Sequence, residues 1–215
     1  MSDLLNDLSV KAVLFDYGKV LSGPEKAESW DGMRDLLQLS EEKFRELYWT
    51  YRDDYDRGAL SGTEYWRNIA RDIAFPLRDN SLVDLKQLDV EMWTDLNPPM
   101  VEWAHRLKSA GIRTGILSNI GDAMEQGVRA KFPWVDGFTH ATWSHRLKLR
   151  KPEPEIYAAA AMGLGVQPRE VLFIDDREDN VAGADAVGMQ GVVYALHADF
   201  ERDLDRRGLG ALLRI

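Results

Sequence analysis

Four short apolar runs, three of them closing on a polar pair or an acid, constrain this chain more than any other feature. Lys11-Ala12-Val13-Leu14-Phe15 ends at Asp16 and then Gly18, and Arg113-Thr114-Gly115-Ile116-Leu117 ends at Ser118-Asn119. Val171-Leu172-Phe173-Ile174 ends at Asp175-Asp176, and Gly191-Val192-Val193-Tyr194 is the fourth. Continuous apolar runs of this length read as strands buried on both faces, as in a parallel sheet. Helical patterns separate them. Pro98 to Ala110 opens on prolines and stops at Gly111, Pro152 to Leu164 is acidic in its first turn and stops at Gly165, and Glu178 to Val187 stops at Gly188. Strands alternating with helices of this length predict an α/β fold with a doubly wound parallel sheet.

The segment between the first run and Asn97 is different. It is charged and aromatic, with helical periodicity and no convincing buried strand, and it predicts a helical subdomain over 22–96 inserted into a core made of 1–21 and 97–215. Its aromatics, Trp49, Tyr51, Tyr55, Tyr65 and Trp66, read first as the packing of that subdomain. The last stretch, Phe200 to Ile215, is interrupted by Gly208 and Gly210 and reads as a peripheral segment.

Composition narrows the chemistry. At 215 residues the chain suits one core domain with a modest insertion. It has no cysteine, which excludes disulfides, thiolate catalysis and cysteine-ligated zinc. The formal net charge of −9 disfavours nucleic acid and anionic membranes as partners, so an anionic substrate needs a local positive site. No run approaches the roughly 18 apolar residues of a membrane span. The acidic start, Met1 to Asp7, lacks the positive charge of a signal peptide, and the expectation is a cytoplasmic protein. The four histidines show no paired ligand spacing and read as surface residues.

In a doubly wound sheet, ligands bind beyond the carboxyl ends of the strands. There the runs present Asp16, Ser118-Asn119 and Asp175-Asp176, with Lys151 in the loop before the helix that follows Pro152. A carboxylate nucleophile, a hydroxyl, an ammonium and a carboxylate pair suit phosphoryl transfer, in which catalysis is mostly positioning and cationic stabilisation. Mg2+ takes a few carboxylates plus substrate oxygens and water, and Asp16 and Asp175 are candidates to supply them. Each residue taken alone has a plainer reading: Asp16 and Gly18 as a turn, Ser118-Asn119 as a strand-to-helix turn, Asp176 as a helix cap. Most of the basic run His145 to Lys151 reads as a solvated loop, with Lys148 the rival to Lys151.

The set resembles a known family. Phe15-Asp16-Tyr17-Gly18-Lys19-Val20-Leu21, Leu117-Ser118-Asn119, Arg150-Lys151-Pro152-Glu153-Pro154-Glu155-Ile156-Tyr157 and Phe173-Ile174-Asp175-Asp176 through Asn180 are similar, in order and spacing, to the four motifs of the haloacid dehalogenase-like hydrolases, in the branch with a helical cap after the first motif. The resemblance implies a Rossmann-like core and a phosphatase of small organic phosphates working through an aspartyl-phosphate with Mg2+. It implies Asp16 as nucleophile and metal ligand and the Gly18 carbonyl as a second ligand. Ser118, the amide of Asn119 and Lys151 would hold the phosphate. Asp175 would bind the metal, with Asp176 and Asn180 as a further ligand or outer shell. The partner is then a small phosphorylated metabolite.

One position departs from the pattern. Many phosphatases of the family carry a general-acid aspartate two residues after the nucleophile, and here Gly18 stands there. General acid–base help is typically worth about 10²–10⁴-fold, so its loss favours phosphates with a good leaving group, such as anomeric, acyl or aryl phosphates. The Asp-x-Gly pattern also resembles the α-glucose-1-phosphate phosphatase-like subgroup. The alternatives are a metal-independent 2-haloacid dehalogenase, against which the Asp175-Asp176 pair counts, a sugar-phosphate mutase, and a non-catalytic phosphate-binding module that kept the fold.

Overall fold

A computed structural model describes residues 9–215, so the reading of the acidic start falls outside the described residues. Five parallel strands form one sheet: β1 (Ala12–Phe15), β2 (Arg113–Ser118), β3 (His140–Trp143), β4 (Val171–Asp175) and β5 (Gln190–Val193), in the order β3-β2-β1-β4-β5. The chain winds outward from β1 through β2 to β3, then crosses to β4 on the other side of β1. This is the doubly wound α/β fold expected, with one strand more than the sequence showed. β3, His-Ala-Thr-Trp, is only partly apolar because it lies at the sheet edge, where one flank faces away from the core.

The helices are α1 (Ala27–Leu36), α2 (Glu41–Thr50), α3 (Arg52–Asp56), α4 (Gly62–Asp72), α5 (Asp79–Glu91), α6 (Pro98–Ser109), α7 (Asp122–Lys131), α8 (Ser144–Leu147), α9 (Pro154–Leu164), α10 (Glu178–Ala186) and α11 (His197–Arg206). α9 begins two residues later than expected, at Pro154, and ends where Gly165 takes φ +68°, a conformation that glycine adopts without steric cost. Alternation along β1 sends Val13 and Phe15 to one face and Ala12 and Leu14 to the other. Phe15 packs edge-on against Trp103 of α6, and Trp103 packs likewise against Phe200 of α11. Ala12 and Leu14 share the opposite face with Ile156, Ala160 and Leu164 of α9.

The C-terminal stretch is therefore not peripheral. Phe200, Leu204, Leu209 and Leu212 are buried, and Trp103 Nε1 donates to the Leu212 carbonyl at 2.7 Å. The amphipathic α11 needs the sheet face, and the glycines only terminate it.

α1 to α5 form a helical unit over the carboxyl edge of the sheet, built around Phe44, Tyr48, Tyr55, Tyr65 and Trp66, all buried. At its neck the two chain crossings run side by side, Ser22 bridging antiparallel to Leu96 and Asn97 N–H donating to the Leu21 carbonyl. Trp49 is half exposed and Tyr55 fully buried, stacked on Tyr65 at 4.8 Å between ring centres. No helix among the described residues is long and apolar enough to cross a membrane.

Candidate active site

Strand register sets the first two carboxylates. Phe15 pairs with Ile174, so Asp16 and Asp175 follow side by side at the carboxyl ends of β1 and β4. Phe15 also pairs with Ile116, which brings the Ser118 turn alongside on the other flank. Asp16 Oδ1 accepts the Tyr17 N–H at 2.7 Å, which orients the carboxylate at the start of a wide turn, Tyr17–Leu21. Within that turn Gly18 has φ −64°, open to any residue, while Lys19 takes φ +58°. Backbone geometry therefore does not require glycine at position 18, which removes the plain turn reading of that residue.

Lys151 reaches the same point from the loop before α9. Its Nζ lies 2.9 Å from Asp16 Oδ1 and 2.6 Å from Asp175 Oδ2, and donates to the Leu117 carbonyl at 3.0 Å. The side chain is 1% exposed. Its loop is held by Asn119, whose Oδ1 accepts the Lys151 N–H at 2.8 Å and whose Nδ2 donates to the Lys151 carbonyl at 3.1 Å. The Asn119 side chain is thus engaged in placing the lysine, a role the sequence did not reveal. Lys148 is excluded as the rival, because its ammonium donates to the Gly58 carbonyl instead.

Asp175 is wholly buried, and its Oδ1 accepts from the Arg177 N–H and from Asn180 Nδ2, both at 2.9 Å. Asn180 therefore orients Asp175. Asp176 does not cap α10: the N-cap residue is Arg177, with no side-chain cap bond, and its own N–H goes to Asp175. Asp16, Asp175 and Asp176 each offer an oxygen to a group whose atoms all lie within 4.8 Å of one another. Burial pushes the Asp16 carboxyl from its usual 3.8 up to about 7, with Lys151 opposing the rise and Asp175 adding to it. Burial also raises Asp176, and the charge of Asp175 adds to this. Burial acts to lower Lys151, but Asp16 and Asp175 outweigh it and leave the ammonium above its ordinary range. Three carboxylates facing one lysine leave surplus negative charge in a dry place. An oxygen-only donor set of this kind suits a hard divalent cation such as Mg2+.

These groups open on a cavity of about 410 Å³, which Asp16, Gly18, Ser118, Asn119, Lys151 and Asp176 line on the core side. The helical unit supplies Trp49, Arg52, Asp53 and Asp56, and the neck supplies Trp93. Arg52 is buried between the rings of Tyr48 and Tyr55, and its Nε donates to Asp56 at 2.9 Å. The basic run is a seam rather than a solvated loop. Arg146 bonds the buried Glu125, and Arg150 pairs with Asp53 at 2.7 Å. His145 is not a free surface residue either, since its Nε2 lies 2.7 Å from Glu125, and His140 is half-buried in β3. Ser144 completes the seam: its Oγ accepts the Ile120 N–H at 2.7 Å and donates to the Asp56 carbonyl at 2.5 Å. Tyr55 lies so close to Gly121 that a Cβ there would sit 2.0 Å from its ring.

A family model described as haloacid dehalogenase-like hydrolase matches residues 10–188. The chain belongs to the haloacid dehalogenase-like hydrolases. Among curated relatives of this hydrolase, (S)-2-haloacid dehalogenase 4A of Burkholderia cepacia is 33% identical over 60% of this chain and 58% of that protein. The chain thus spans less than two thirds of the length of the dehalogenase it matches. Glyceraldehyde 3-phosphate phosphatase of Methanopyrus kandleri is 28% identical over 84% of this chain and 82% of the relative. A HAD family enzyme from Bacteroides thetaiotaomicron, solved in complex with magnesium and inorganic phosphate, has the same fold. Its TM-score is 0.74 at 23% identity, over 90% of this hydrolase and 98% of that chain.

Proposed function

We propose that this hydrolase is a Mg2+-dependent phosphatase of small organic phosphate monoesters. One observation carries the reading: the clustered oxygens of Asp16, Asp175 and Asp176 beside the buried Lys151. An anionic phosphoryl group can approach Asp16 only if the surplus negative charge is neutralised. Asp16, Asp175 and Asp176, with the Gly18 carbonyl, would hold Mg2+, which when bound neutralises charge on the phosphoryl oxygens.

The chain's own groups do the rest. Lys151 and Ser118, with the Asn119 main-chain amide, bind the phosphoryl oxygens. Asp16, oriented through Oδ1 by the Tyr17 amide, attacks phosphorus. The new O–P bond forms as the ester P–O bond breaks, and the leaving oxygen departs with the electron pair. Water then cleaves the aspartyl-phosphate, which releases inorganic phosphate and restores the Asp16 carboxylate. The phosphatase relative and the magnesium and phosphate complex of the structural neighbour support this reading.

The Burkholderia relative gives dehalogenation as the second reading. The acidic pair counts against it, because a reaction that needs no divalent cation has no use for the surplus negative charge that Asp175 and Asp176 place beside Asp16. A panel of phosphate esters and 2-haloacids, each with Mg2+ and with EDTA, tests both. Phosphate release abolished by EDTA is expected, whereas chloride release that survives chelation would replace this reading.

A further inference from the structure

The cavity wall beside the nucleophile is aromatic. Trp93 stands against the turn that follows Asp16 at three consecutive residues. Its main-chain carbonyl accepts the Tyr17 hydroxyl at 3.0 Å. A Cβ built on Gly18 would meet Cζ3 and Cε3 of the indole at 3.5 and 3.8 Å, and the Lys19 ammonium lies 5.9 Å from the ring centre. The indole therefore borders the space just beyond Gly18, two residues from the attacking carboxylate. Trp49 lines the same cavity from α2 and leaves 50% of its surface in water.

The acids on this wall are held by cations. Glu25 pairs with Lys19 at 3.0 Å, Asp53 with Arg150 at 2.7 Å and Asp56 with Arg52 at 2.9 Å. Burial raises the Asp56 carboxyl, with the Arg52 guanidinium acting against it. With each of these acids paired to a cation, the side chain bordering the space beyond Gly18 is an indole rather than an unpaired carboxylic acid.

We propose that the substrates are phosphates of flat, phenol-like hydroxyls, aryl or heteroaryl, whose ring lies against Trp93 with Trp49 at its outer edge. Trp93 is then the specificity-determining residue. This deepens the phosphatase reading and rests on it. When Asp16 displaces such a group, the ester P–O bond breaks and its electron pair leaves on a phenolate, which takes its proton later from water. A phenol-like hydroxyl has a pKa of about 10, so its anion departs without a donor, whereas an alkoxide does not. A cavity of about 410 Å³ has room for a phosphoryl group and a small ring system.

The test is kcat and KM with saturating Mg2+ for aryl phosphates of graded leaving-group pKa, simple alkyl phosphates and acetyl phosphate. The proteins compared are the wild type, Trp93→Ala, Trp93→Phe and Trp49→Ala, each checked for native circular dichroism. Aryl phosphates should exceed alkyl ones in kcat/KM by about 10²-fold or more, with kcat falling steeply as leaving-group pKa rises. Trp93→Ala should raise KM for aryl phosphates about tenfold more than it raises KM for acetyl phosphate, and Trp93→Phe should recover most of that difference. Alkyl phosphates turned over as well as aryl ones, or an aryl KM indifferent to Trp93→Ala, would overturn the aryl assignment and leave the phosphatase reading standing. No turnover of any phosphate, acetyl phosphate included, would remove both.

Discussion

Lys151 Nζ lies 2.6 Å from Oδ2 of Asp175, and the two side chains are 1% and 0% exposed. The lysine arrives from the loop before α9 and the aspartate from the end of β4, so the pair ties two chain segments beneath the nucleophile. Burying one ammonium and one carboxylate costs desolvation, and their mutual attraction offsets it only with further hydrogen bonds. Here the Leu117 carbonyl, the Arg177 N–H and Asn180 Nδ2 provide them.

Breaking that pair should be costly. Lys151→Ala leaves Asp16 and Asp175 buried together without a cation, and the expected loss is about 3–5 kcal/mol in chemical denaturation. Mg2+ should return part of that stability by replacing the missing charge. Phosphatase activity should stay low even with excess Mg2+, because an ion held by the carboxylates would not replace the N–H donors that the ammonium offers the phosphoryl oxygens. A Lys151→Ala protein as stable as wild type without metal would contradict the charge balance drawn here.

Asp16 gives a pH dependence with a definite sign. Its folded-state pKa is raised from 3.8 to about 7, so the folded protein holds a proton that the unfolded chain has lost. The associated stability is present below about pH 4 and disappears as the pH rises towards 7. The metal-free wild type should therefore lose Tm across that window relative to Asp16→Asn, which cannot titrate. The same proton competes with Mg2+. Raising Mg2+ should move the acid limb of the activity profile to lower pH, and a limb that stays put would show that Asp16 does not bind the ion. Asp16→Asn should itself cost about 10⁴-fold or more in kcat.

Asn180 holds Asp175 through a single 2.9 Å bond. Asn180→Ala should weaken Mg2+ binding about 10–100-fold while kcat at saturating Mg2+ stays near wild type, as expected for a residue that orients a ligand. Mg2+ titration of activity separates the two effects.

Ser144 joins the loop after Ser118-Asn119 to the last turn of α3 through its hydroxyl. Ser144→Ala strands the buried Ile120 N–H and should cost about 1–3 kcal/mol. Differential hydrogen exchange should show faster exchange at residues 52–62 and 118–123 together. Exchange that rises in only one of these segments would mean that they are not coupled through this residue.

The sheet was legible because strands buried on both faces carry continuous apolar stretches, as β1, β2 and β4 do, and the β5 region still offers the short run Gly191-Val192-Val193-Tyr194. β3 escaped because His-Ala-Thr-Trp, at one edge of the sheet, carries no apolar run, whereas the other edge strand, β5, keeps two consecutive valines. Asp16, Ser118 and Asp175 were legible for a related reason: a polar residue at the end of an apolar run marks the strand edge where ligands bind. The sequence by itself thus determined the doubly wound core, its inserted helical unit and the chemical types gathered at one edge. Tertiary structure alone decided what surrounds them: the Asn119 clamp on Lys151, the Ser144 seam, the burial of Phe200 and Leu212, and Trp93 over Gly18. Each of these joins residues far apart in the chain, through distances set by packing between elements rather than by any local period.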